Sequence, residues 1–396
     1  MEPLAITPAT PVASAAPPLR LTVIHWLPLE QFPPARNLLE YFAADSRFQV
    51  VAGTSIRTGE QQPVELHAVT IRRAVFPAAR NSRLKRLWQF AALVWLLLLT
   101  LFTSRPDAVL YIEPHSALPV AIYLLFNRSA RLLIHYHEYR ELSHYRDRGN
   151  AIARLGHWLE CRFLYRRTEW ISHTNQDRIR MFLEDHPWLP PGLLRAMPNY
   201  PPKSWLTALQ VVKPAPSGPL RLVYVGALSL HDTFIRPLVE WVVRAGPERV
   251  QLDLYAGNLD RAAKEFIEHM TSPAVRFFPE GLPYLRLPPV LATYDVGLIL
   301  YRGNTRNYKY NAPNKLFEYL LCGLDVWYPR QMPGIRPVAA ELRQQRVLEL
   351  DFEQPEMLDQ QLAAPRRSGV REWDQTCAAA LQPMRDRLLQ TGGPCN

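Results

Sequence analysis

One short segment carries residue types that can bind a phosphorylated ligand. Residues 308–325 read YKYNAPNKLFEYLLCGLD, in which Pro313 suits the first turn of a helix that Gly323 ends. The amides of that first turn have no helical partner, so they favour an anion such as a diphosphate. Lys315 adds a positive charge, and Glu318, one turn on, can accept hydrogen bonds from the paired hydroxyls of a ribose. The alternative is an ordinary surface helix with a Lys/Glu pair.

A second polar segment lies at the end of a predicted strand. Residues 131–136 are predicted as this strand, which leads directly into His137 and Glu138. An imidazole can stabilise charge on a phosphate or hold a hydroxyl group, and a carboxylate can act as a general base. These two residues are therefore the candidate catalytic residues. The alternative is an exposed polar loop.

Both segments belong to a chain in which strands and helices alternate. Apolar, β-rich runs such as 21–25, 108–112 and 220–225 are separated by helical stretches, a pattern typical of parallel sheets covered on both faces. A proline-rich stretch at 188–219 divides the alternation into two halves. We therefore predict an α/β protein of two Rossmann-like, doubly wound domains that face each other across a cleft. Ligands bind beyond the carboxyl ends of such strands.

The same patterns predict the domain boundaries. The N-terminal residues are rich in alanine and proline and lack the positive region of a secretory signal. We expect a disordered tail at 1–19, a first domain at 20–200, a linker at 201–219, a second domain at 220–365, and a C-terminal helix at 366–396 that can pack back on the first domain.

The composition excludes several protein classes. The 396 residues include 46 Lys and Arg against 36 Asp and Glu, a net charge of +10, and 48% of residues are hydrophobic, as in ordinary globular proteins. Arginine is spread along the chain without a basic stripe or a known module, so no nucleic-acid partner is predicted. The four cysteines make no short-spaced pair, which excludes a disulfide scaffold and a CxxC metal site. Their scarcity fits a reducing, cytoplasmic compartment.

An apolar run at 87–102 is a candidate membrane-contacting helix. The run is shorter than the roughly 20 apolar residues that a spanning helix needs, and the predicted strand at 108–112 follows it closely. A basic cluster precedes it, consisting of Arg72, Arg73, Arg80, Arg83, Lys85 and Arg86. Basic residues beside apolar surface favour an anionic leaflet. We predict a peripheral helix on the inner face of a membrane, and the alternative is a fully buried core helix.

Residues 313–323 resemble the donor-site helix of GT-B glycosyltransferases, specifically the family-four-like group that uses nucleotide sugars. Residues 294–301 are similar to the strand and loop that precede that helix, and residues 222–228 to the strand and tight turn that open the donor domain. The resemblance covers about 220–329 well and 131–201 moderately, and it covers the first hundred residues by pattern only.

The resemblance implies a donor site in the second domain. Glu318 would hold the nucleotide ribose, Lys315 would hold the diphosphate, and Gly226 would let the chain approach the diphosphate. The remaining donor-binding residues would be Tyr310, Asn311, Ala312, Pro313 and Asn314. The family pattern often has a glutamate where Tyr310 stands and a basic residue just after the Gly226 turn, where this chain has neither. The second positive charge would then come from Lys309, Arg302, Arg306 or Arg236.

The resemblance also implies an activity. Residues 135–139 would present His137 and Glu138 to the acceptor in the first domain. The protein would move a sugar from a nucleotide-sugar donor to a glycan or lipid-linked acceptor in envelope polysaccharide synthesis, with retention of configuration. No Asp-x-Asp motif is present, so neither a metal nor another cofactor is expected. The alternatives are a nucleotide-sugar epimerase of the same fold and a non-catalytic partner that has lost transfer activity.

Overall fold

The two predicted runs of strands and helices form two parallel β-sheets. The computed structural model describes residues 17–58, 63–77, 83–209, 218–270, 272–342, 347–366 and 372–390. Within these residues the first sheet has seven strands and the second has six, so the predicted architecture of two Rossmann-like units is confirmed. Most of the predicted tail (1–16) and parts of the predicted linker (210–217) and C-terminal helix (367–371 and 391–396) lie outside the described residues.

The first unit contains residues 19–208. Its strands are β1 (Leu19–His25), β2 (Phe48–Thr58), β3 (Val69–Pro77), β4 (Ala108–Ile112), β5 (Arg131–Tyr136), β6 (Thr168–His173) and β7 (Leu194–Ala196). Its helices are α1 (Pro33–Ala43), α2 (Arg83–Ser104), α3 (Ala117–Phe126), α4 (Leu142–Arg146), α5 (Ala151–Leu159) and α6 (Gln176–Asp185). The short helix α7 (Ser204–Ala208) follows the sheet. The strand order is β3-β2-β1-β4-β5-β6-β7.

The central strands are apolar because helices cover both faces of the sheet. In β4 the side chains alternate, so that Leu110 and Ile112 join one hydrophobic core while Val109 and Tyr111 join the core on the opposite face. All four side chains are fully buried. The sequence of a strand that is covered on both faces is therefore a continuous run of apolar residues, rather than an alternation of apolar and polar residues.

The second unit repeats this arrangement. Its strands are β8 (Leu220–Val225), β9 (Val250–Tyr255), β10 (Val275–Phe278), β11 (Val296–Leu298), β12 (Asp325–Pro329) and β13 (Val347–Leu350). Its helices are α8 (Ile235–Ala245), α9 (Arg261–Glu268), α10 (Leu287–Leu291), α11 (Arg306–Lys309), α12 (Asn314–Leu321), α13 (Arg336–Glu341) and α14 (Pro355–Ala363). The strand order is β10-β9-β8-β11-β12-β13.

Several predicted elements differ from the observed ones. The proline-rich stretch is not only a linker, because β7 lies within it and extends the first sheet, and because α7 buries Trp205 against the second unit. Pro313 is the residue before α12 rather than part of its first turn. Proline restricts the backbone, but it can occupy short edge strands and the ends of strands, so a proline-rich stretch need not be only a linker.

The last helix returns to the first unit. Helix α15 (Cys377–Leu389) is shorter than the predicted segment and packs its buried Leu381 and Met384 in the core that contains α1. Arg131, at the start of β5, donates hydrogen bonds of 2.7 and 2.6 Å to the carbonyl oxygens of Arg387 and Leu388 at the helix end. The chain therefore links the two units twice.

The apolar helix α2 lies against one face of the first sheet. It joins β3 to β4, which are strands of the same sheet. Leu93 and Leu101 are buried against the sheet, whereas Trp88 and Trp95 are 70% and 64% exposed. Among the described residues, Leu84–Ser104 is the one helix long and apolar enough to cross a bilayer by length and composition, and 22% of its most apolar stretch is buried. The alternative of a fully buried core helix is therefore wrong.

Candidate functional site

The carboxyl ends of strands from both sheets face one cleft, which encloses a cavity of about 340 Å³. Eight of the ten predicted site residues line this cavity: His137, Glu138, Gly226, Asn311, Pro313, Asn314, Lys315 and Glu318. Two do not. Ala312 is buried in the core of the second unit, and Tyr310 lines a separate depression with Lys309 and Arg330.

Lys315 projects a buried ammonium into the cavity. Its side chain comes from the first turn of α12, and its Nζ atom lies 4.2 Å from the ring centroid of Tyr224 and 4.9 Å from that of Tyr301. Nζ is buried and makes no hydrogen bond of standard geometry with the described residues. Burial lowers the pKa of Lys315, but the hydroxyl groups of the two tyrosines raise it, with a net upward shift. The side chain is therefore a cation held beside two tyrosine hydroxyl groups, with N–H donors that can be offered to a ligand.

Gly226 makes room for that ammonium. It ends β8 with φ at +132°, a conformation that other residues rarely adopt. A Cβ atom added at Gly226 would lie 2.8 Å from Nζ of Lys315. Gly226 was predicted to let the chain approach a diphosphate. The more direct reason for a glycine here is that a side chain at this position would collide with Lys315.

The N-terminus of α12 opens toward the same cavity. Pro313 precedes the helix with extended backbone, and no side chain caps the helix start. Its first amides are therefore available to an anion, and the partial positive charge of the helix terminus adds to that of Lys315. Asn311 and Asn314 flank this helix start and line the cavity.

Glu318 lies one turn further along α12 and is 7% exposed. Burial raises the pKa of its carboxyl group to about 7, and Lys315 partly offsets this shift. The carboxylate therefore forms at physiological pH but carries a desolvation cost, which hydroxyl donors from a ligand would reduce.

On the opposite wall, His137 follows β5 and is buried between His135 and Phe32, with ring centroids 4.7 and 5.9 Å away. Neither ring nitrogen has a hydrogen-bond partner among the described residues. Burial, together with the charge on Arg178, lowers the pKa of His137 to about 3. The imidazole is therefore neutral at physiological pH and can donate one hydrogen bond and accept another.

A buried carboxylate that the sequence did not reveal fixes this wall. Glu113 follows β4 and accepts hydrogen bonds from the backbone amides of His137 (2.9 Å) and Glu138 (3.1 Å). Its own backbone has φ +67° and ψ +151°, a region occupied almost only by glycine, at a cost of about 1–3 kcal/mol. Burial raises the pKa of Glu113 to about 7 despite the nearby Arg140. The strained backbone of Glu113 thus lies next to the candidate acceptor loop, and its side chain holds the amides of His137 and Glu138 in that loop.

Arg178 supplies a second cation that sequence reasoning missed. It comes from the first turn of α6, lines the cavity, and donates to the carbonyl oxygen of His137 and to Thr174 Oγ1 at 2.6 Å. Burial lowers its pKa to about 10, so it remains charged, and its Nε atom has no partner. The sequence signal that could have identified Arg178 is its position in the first turn of a helix that follows a strand.

The four basic residues predicted to supply that second charge lie elsewhere. Arg302 pairs with Glu353 at 2.9 Å and Arg306 with Glu184 at 2.7 Å. None of the four, including Lys309 and Arg236, lines the cavity. Carboxylates hold Arg302 and Arg306 on other surfaces, and Lys309 lies over the ring of Tyr310.

Hydrogen bonds between the two units close one side of the cleft. Asn175 caps α6 by accepting from the amide of Arg178, and its Nδ2 donates to the carbonyl oxygen of Tyr310 at 2.8 Å. Asn307 Oδ1 accepts from Arg178 Nη2 at 2.7 Å and from the Tyr139 amide at 3.1 Å. Tyr310 therefore has a bridging role rather than a place in the cavity.

Solved structures share this architecture. HepE of Anabaena, in complex with UDP and glucose, has a TM-score of 0.61 and 13% identity over 93% of this chain and 99% of that chain. Sucrose-phosphate synthase of Thermosynechococcus elongatus has a TM-score of 0.58 and 16% identity, covering 93% and 94%. UDP-GlcNAc 2-epimerase of Neisseria meningitidis, bound to UDP-GlcNAc, has a TM-score of 0.58 and 11% identity, covering 94% and 100%.

No protein-family model matches the chain, and no curated protein matches it by sequence. At identities this low, structural similarity shows the fold alone. The chain has the GT-B fold, in which two Rossmann-like units face a common cleft.

Proposed function

We propose that this protein is a glycosyltransferase that uses a nucleotide sugar. The observation that carries the proposal is the unpartnered ammonium of Lys315, which is buried in the interunit cavity beside the uncapped start of α12. A buried cation without a partner is costly unless a ligand completes it. A diphosphate would accept hydrogen bonds from Nζ and from the helix amides, and Glu318 would accept from the ribose hydroxyls.

The diphosphate would be stabilised without a metal ion. Lys315, the amides of α12 and Arg178 provide positive charge from both walls of the cavity. Such groups act on developing leaving-group charge in a water-poor site. Uridine diphosphate is the first donor nucleotide to test, because UDP and UDP-GlcNAc are bound in the solved structures of this fold.

On the acceptor side, His137 and Glu138 would contact the attacking hydroxyl group. The low pKa of His137, about 3, makes its neutral imidazole a poor general base near pH 7. We therefore favour retention, in which an oxygen of the departing phosphate takes the acceptor proton and His137 holds the hydroxyl group. If configuration is inverted instead, Glu138 is the candidate base on this wall.

The exposed face of the first unit supports a membrane-bound acceptor. Helices α2, α3 and α5, with the segment after α5, expose large apolar side chains: Trp88, Trp95, Leu125, Phe126, Trp158 and Phe163. Arg86, Arg154, Arg162 and Arg166 are exposed on the same elements. Of the predicted basic cluster, Arg73 instead pairs with buried Glu30 at 3.2 Å, and Arg80 lies outside the described residues.

This combination of aromatic, aliphatic and basic groups fits an anionic lipid surface. We propose that the protein binds the cytoplasmic face of a membrane and glycosylates a lipid-linked or glycan acceptor of envelope polysaccharide synthesis. The test is co-sedimentation with vesicles of anionic or zwitterionic lipid. Trp88→Ser with Trp95→Ser should abolish binding to anionic vesicles, whereas Val243→Ser, at an exposed apolar position of the second unit, should not. Equal binding by all three proteins would refute the surface.

The donor test is thermal unfolding with UDP, GDP, ADP, dTDP and CMP, followed by turnover of the matching nucleotide sugars. A nucleotide at one hundred times its Kd adds about 2.7 kcal/mol, roughly 5–10 °C at about 2–4 °C per kcal/mol. With a membrane lipid extract as the source of acceptor, a shift followed by release of the free nucleotide, a diphosphate or, from a CMP sugar, CMP, supports the transferase. A shift without turnover under these conditions would instead indicate the non-catalytic partner.

An epimerase is the second candidate, because solved UDP-GlcNAc 2-epimerases share this fold. An epimerase would interconvert two nucleotide sugars without an acceptor and without a need for a lipid-facing surface. Chromatography of the reaction separates the cases, because a transferase releases the nucleotide diphosphate and an epimerase yields a second nucleotide sugar.

A further inference from the structure

A cluster of two histidines and one cysteine lies in the first unit, on residues that do not line the cleft cavity. His157 and Cys161 are four residues apart at the end of α5, and His186 ends α6. Their nearest potential ligand atoms all lie within 4.8 Å of one another. His186 is 4% exposed, and its Nε2 atom has no hydrogen-bond partner. We propose that these three residues form a Zn²⁺ site.

The distances suit tetrahedral coordination. With Zn–S near 2.3 Å and Zn–N near 2.0–2.1 Å, a sulfur and a nitrogen on one tetrahedral zinc lie about 3.5 Å apart. His157 Nε2 lies 3.6 Å from Cys161 Sγ. The His157 and His186 rings are 5.3 Å apart between centroids and inclined by 73°. A movement of about an ångström would bring His186 Nε2 to the same distance.

The other nitrogen of each histidine lies near an acceptor oxygen, at hydrogen-bond distance for His186 only. His186 Nδ1 donates to the carbonyl oxygen of Phe182 at 2.9 Å, which leaves Nε2 as the ligand atom. His157 Nδ1 lies 3.7 Å from Glu160 Oε2. A carbonyl or carboxylate on the remote nitrogen is the usual support of a zinc-bound histidine, because it fixes the tautomer and the ring direction.

Further contacts hold this support in place. Glu160 is fully buried and accepts from the hydroxyl groups of Tyr111 at 3.0 Å and Tyr165 at 3.3 Å. Tyr145 stacks on the His157 ring at 4.1 Å. The helix widens into a π turn over Glu160–Leu164, a feature often found at functional sites. The cluster is thus held by its neighbours rather than brought together by chance at the surface.

The ligand set selects the metal. Imidazole and thiolate together favour zinc over magnesium or calcium, which prefer oxygen ligands. Water would take the fourth position, because Cys161 and His157 are partly exposed. The ion would connect the end of α5 to the end of α6. It would stabilise the surface that bears Trp158 and Phe163 without entering the donor cleft.

The test uses the full chain without a histidine tag, with Co²⁺ as a spectroscopic substitute for Zn²⁺. We expect one equivalent to bind, with a thiolate-to-cobalt charge-transfer band that one equivalent of Zn²⁺ removes. Cys161→Ser should lose the band, and His186→Gln should bind at least about 100-fold more weakly, since even supporting residues change affinity by about 10–100-fold.

His269 provides the matched control. Its Nδ1 atom also contacts the carbonyl oxygen four residues earlier, that of Glu265, at 2.6 Å, but His269 is exposed and outside the cluster. His269→Gln should leave the cobalt spectrum and affinity unchanged, and Zn²⁺ should raise Tm in that variant and in wild type but not in Cys161→Ser. Absence of the charge-transfer band in wild type, or equal affinity in Cys161→Ser, would overturn the proposal, and the wild-type spectrum does not depend on how any variant folds.

Discussion

Replacement of Lys315 by methionine should weaken nucleotide binding far more than it changes folding. Methionine keeps the length and most of the volume but removes the three donors and the charge. A hydrogen bond to a charged group contributes about 1.5–3 kcal/mol, which corresponds to roughly 10–150-fold in Kd at 1.4 kcal/mol per tenfold. Nζ is buried and makes no hydrogen bond of standard geometry with the described residues. We therefore expect the loss of UDP affinity to lie in the upper half of that range.

The effect on folding combines two opposing contributions. Loss of contacts with the rings of Tyr224 and Tyr301, at 4.2 and 4.9 Å, removes about 0.5–2 kcal/mol of cation–π stabilisation. Removal of the buried ammonium also relieves a desolvation penalty, but the net upward shift of the Lys315 pKa shows that the interactions with the two tyrosines outweigh it. The variant should therefore lose a modest part of its stability and remain folded, and thermal unfolding of both proteins shows that reduced affinity is not caused by unfolding.

The assay is isothermal titration calorimetry of UDP at about pH 8 and again at about pH 9, so that a difference in the ionisation of Glu318 between the two proteins is detected. This choice matters because Lys315 lowers the pKa of Glu318 and its removal would let that pKa rise. Lys309→Met is the control, since Lys309 also lies over a tyrosine ring, 5.8 Å from the centroid of Tyr310, but does not line the cavity. Less than threefold loss in Lys315→Met, or equal loss in both variants, would refute the diphosphate role of Lys315.

Three further predictions concern the same cavity. Gly226→Ala should cost UDP affinity at least tenfold as well as stability, because its Cβ would lie 2.8 Å from the flexible end of Lys315 in a strained backbone conformation; calorimetry and thermal unfolding measure the two effects. UDP affinity should fall up to tenfold per pH unit below about 7 as Glu318 protonates, and Glu318→Gln should remove this component, whereas titration of the diphosphate itself persists in both proteins. His137 has a folded pKa of about 3 against 6.5 unfolded, so acid favours the unfolded state. Chemical denaturation should show His137→Gln gaining about 2 kcal/mol relative to wild type between pH 7 and pH 5; an unchanged difference would mean that His137 is not neutral in the fold.

The sequence predicted the sheets because buried parallel strands have a strong signal. The run of β4 is apolar along its whole length and that of β8 is apolar except for Arg221, since helices cover both of their faces. The missed strands β7 and β13 are short and lie at the edges of the two sheets. An edge strand needs few apolar residues, so its pairing depends on the neighbouring strand rather than on its own sequence.

The candidate site divides in the same way. The segment 311–318 is local, and one helix start brings its proposed phosphate-binding and ribose-binding groups together, so its spacing could be predicted from the sequence. Glu113 and Arg178 are 24 and 41 residues from the His137 backbone groups that they bind. No local sequence pattern predicts a hydrogen bond between residues so far apart in the chain. Arg302 was a plausible second charge by proximity in sequence, but its ion pair with Glu353 holds it elsewhere.

The bonds of Arg178 explain why the site requires both units. Its guanidinium binds the carbonyl oxygen of His137 within the first unit and Asn307 Oδ1 of the second. The same oxygen of Asn307 accepts from the amide of Tyr139, two residues beyond His137. Separation of the units would break both interunit bonds and leave a nearly fully buried cation with fewer partners. The wall that bears His137 and Glu138 is therefore fixed in part by the unit that holds Lys315, so a ligand that favours this arrangement of the two walls would also order these two residues.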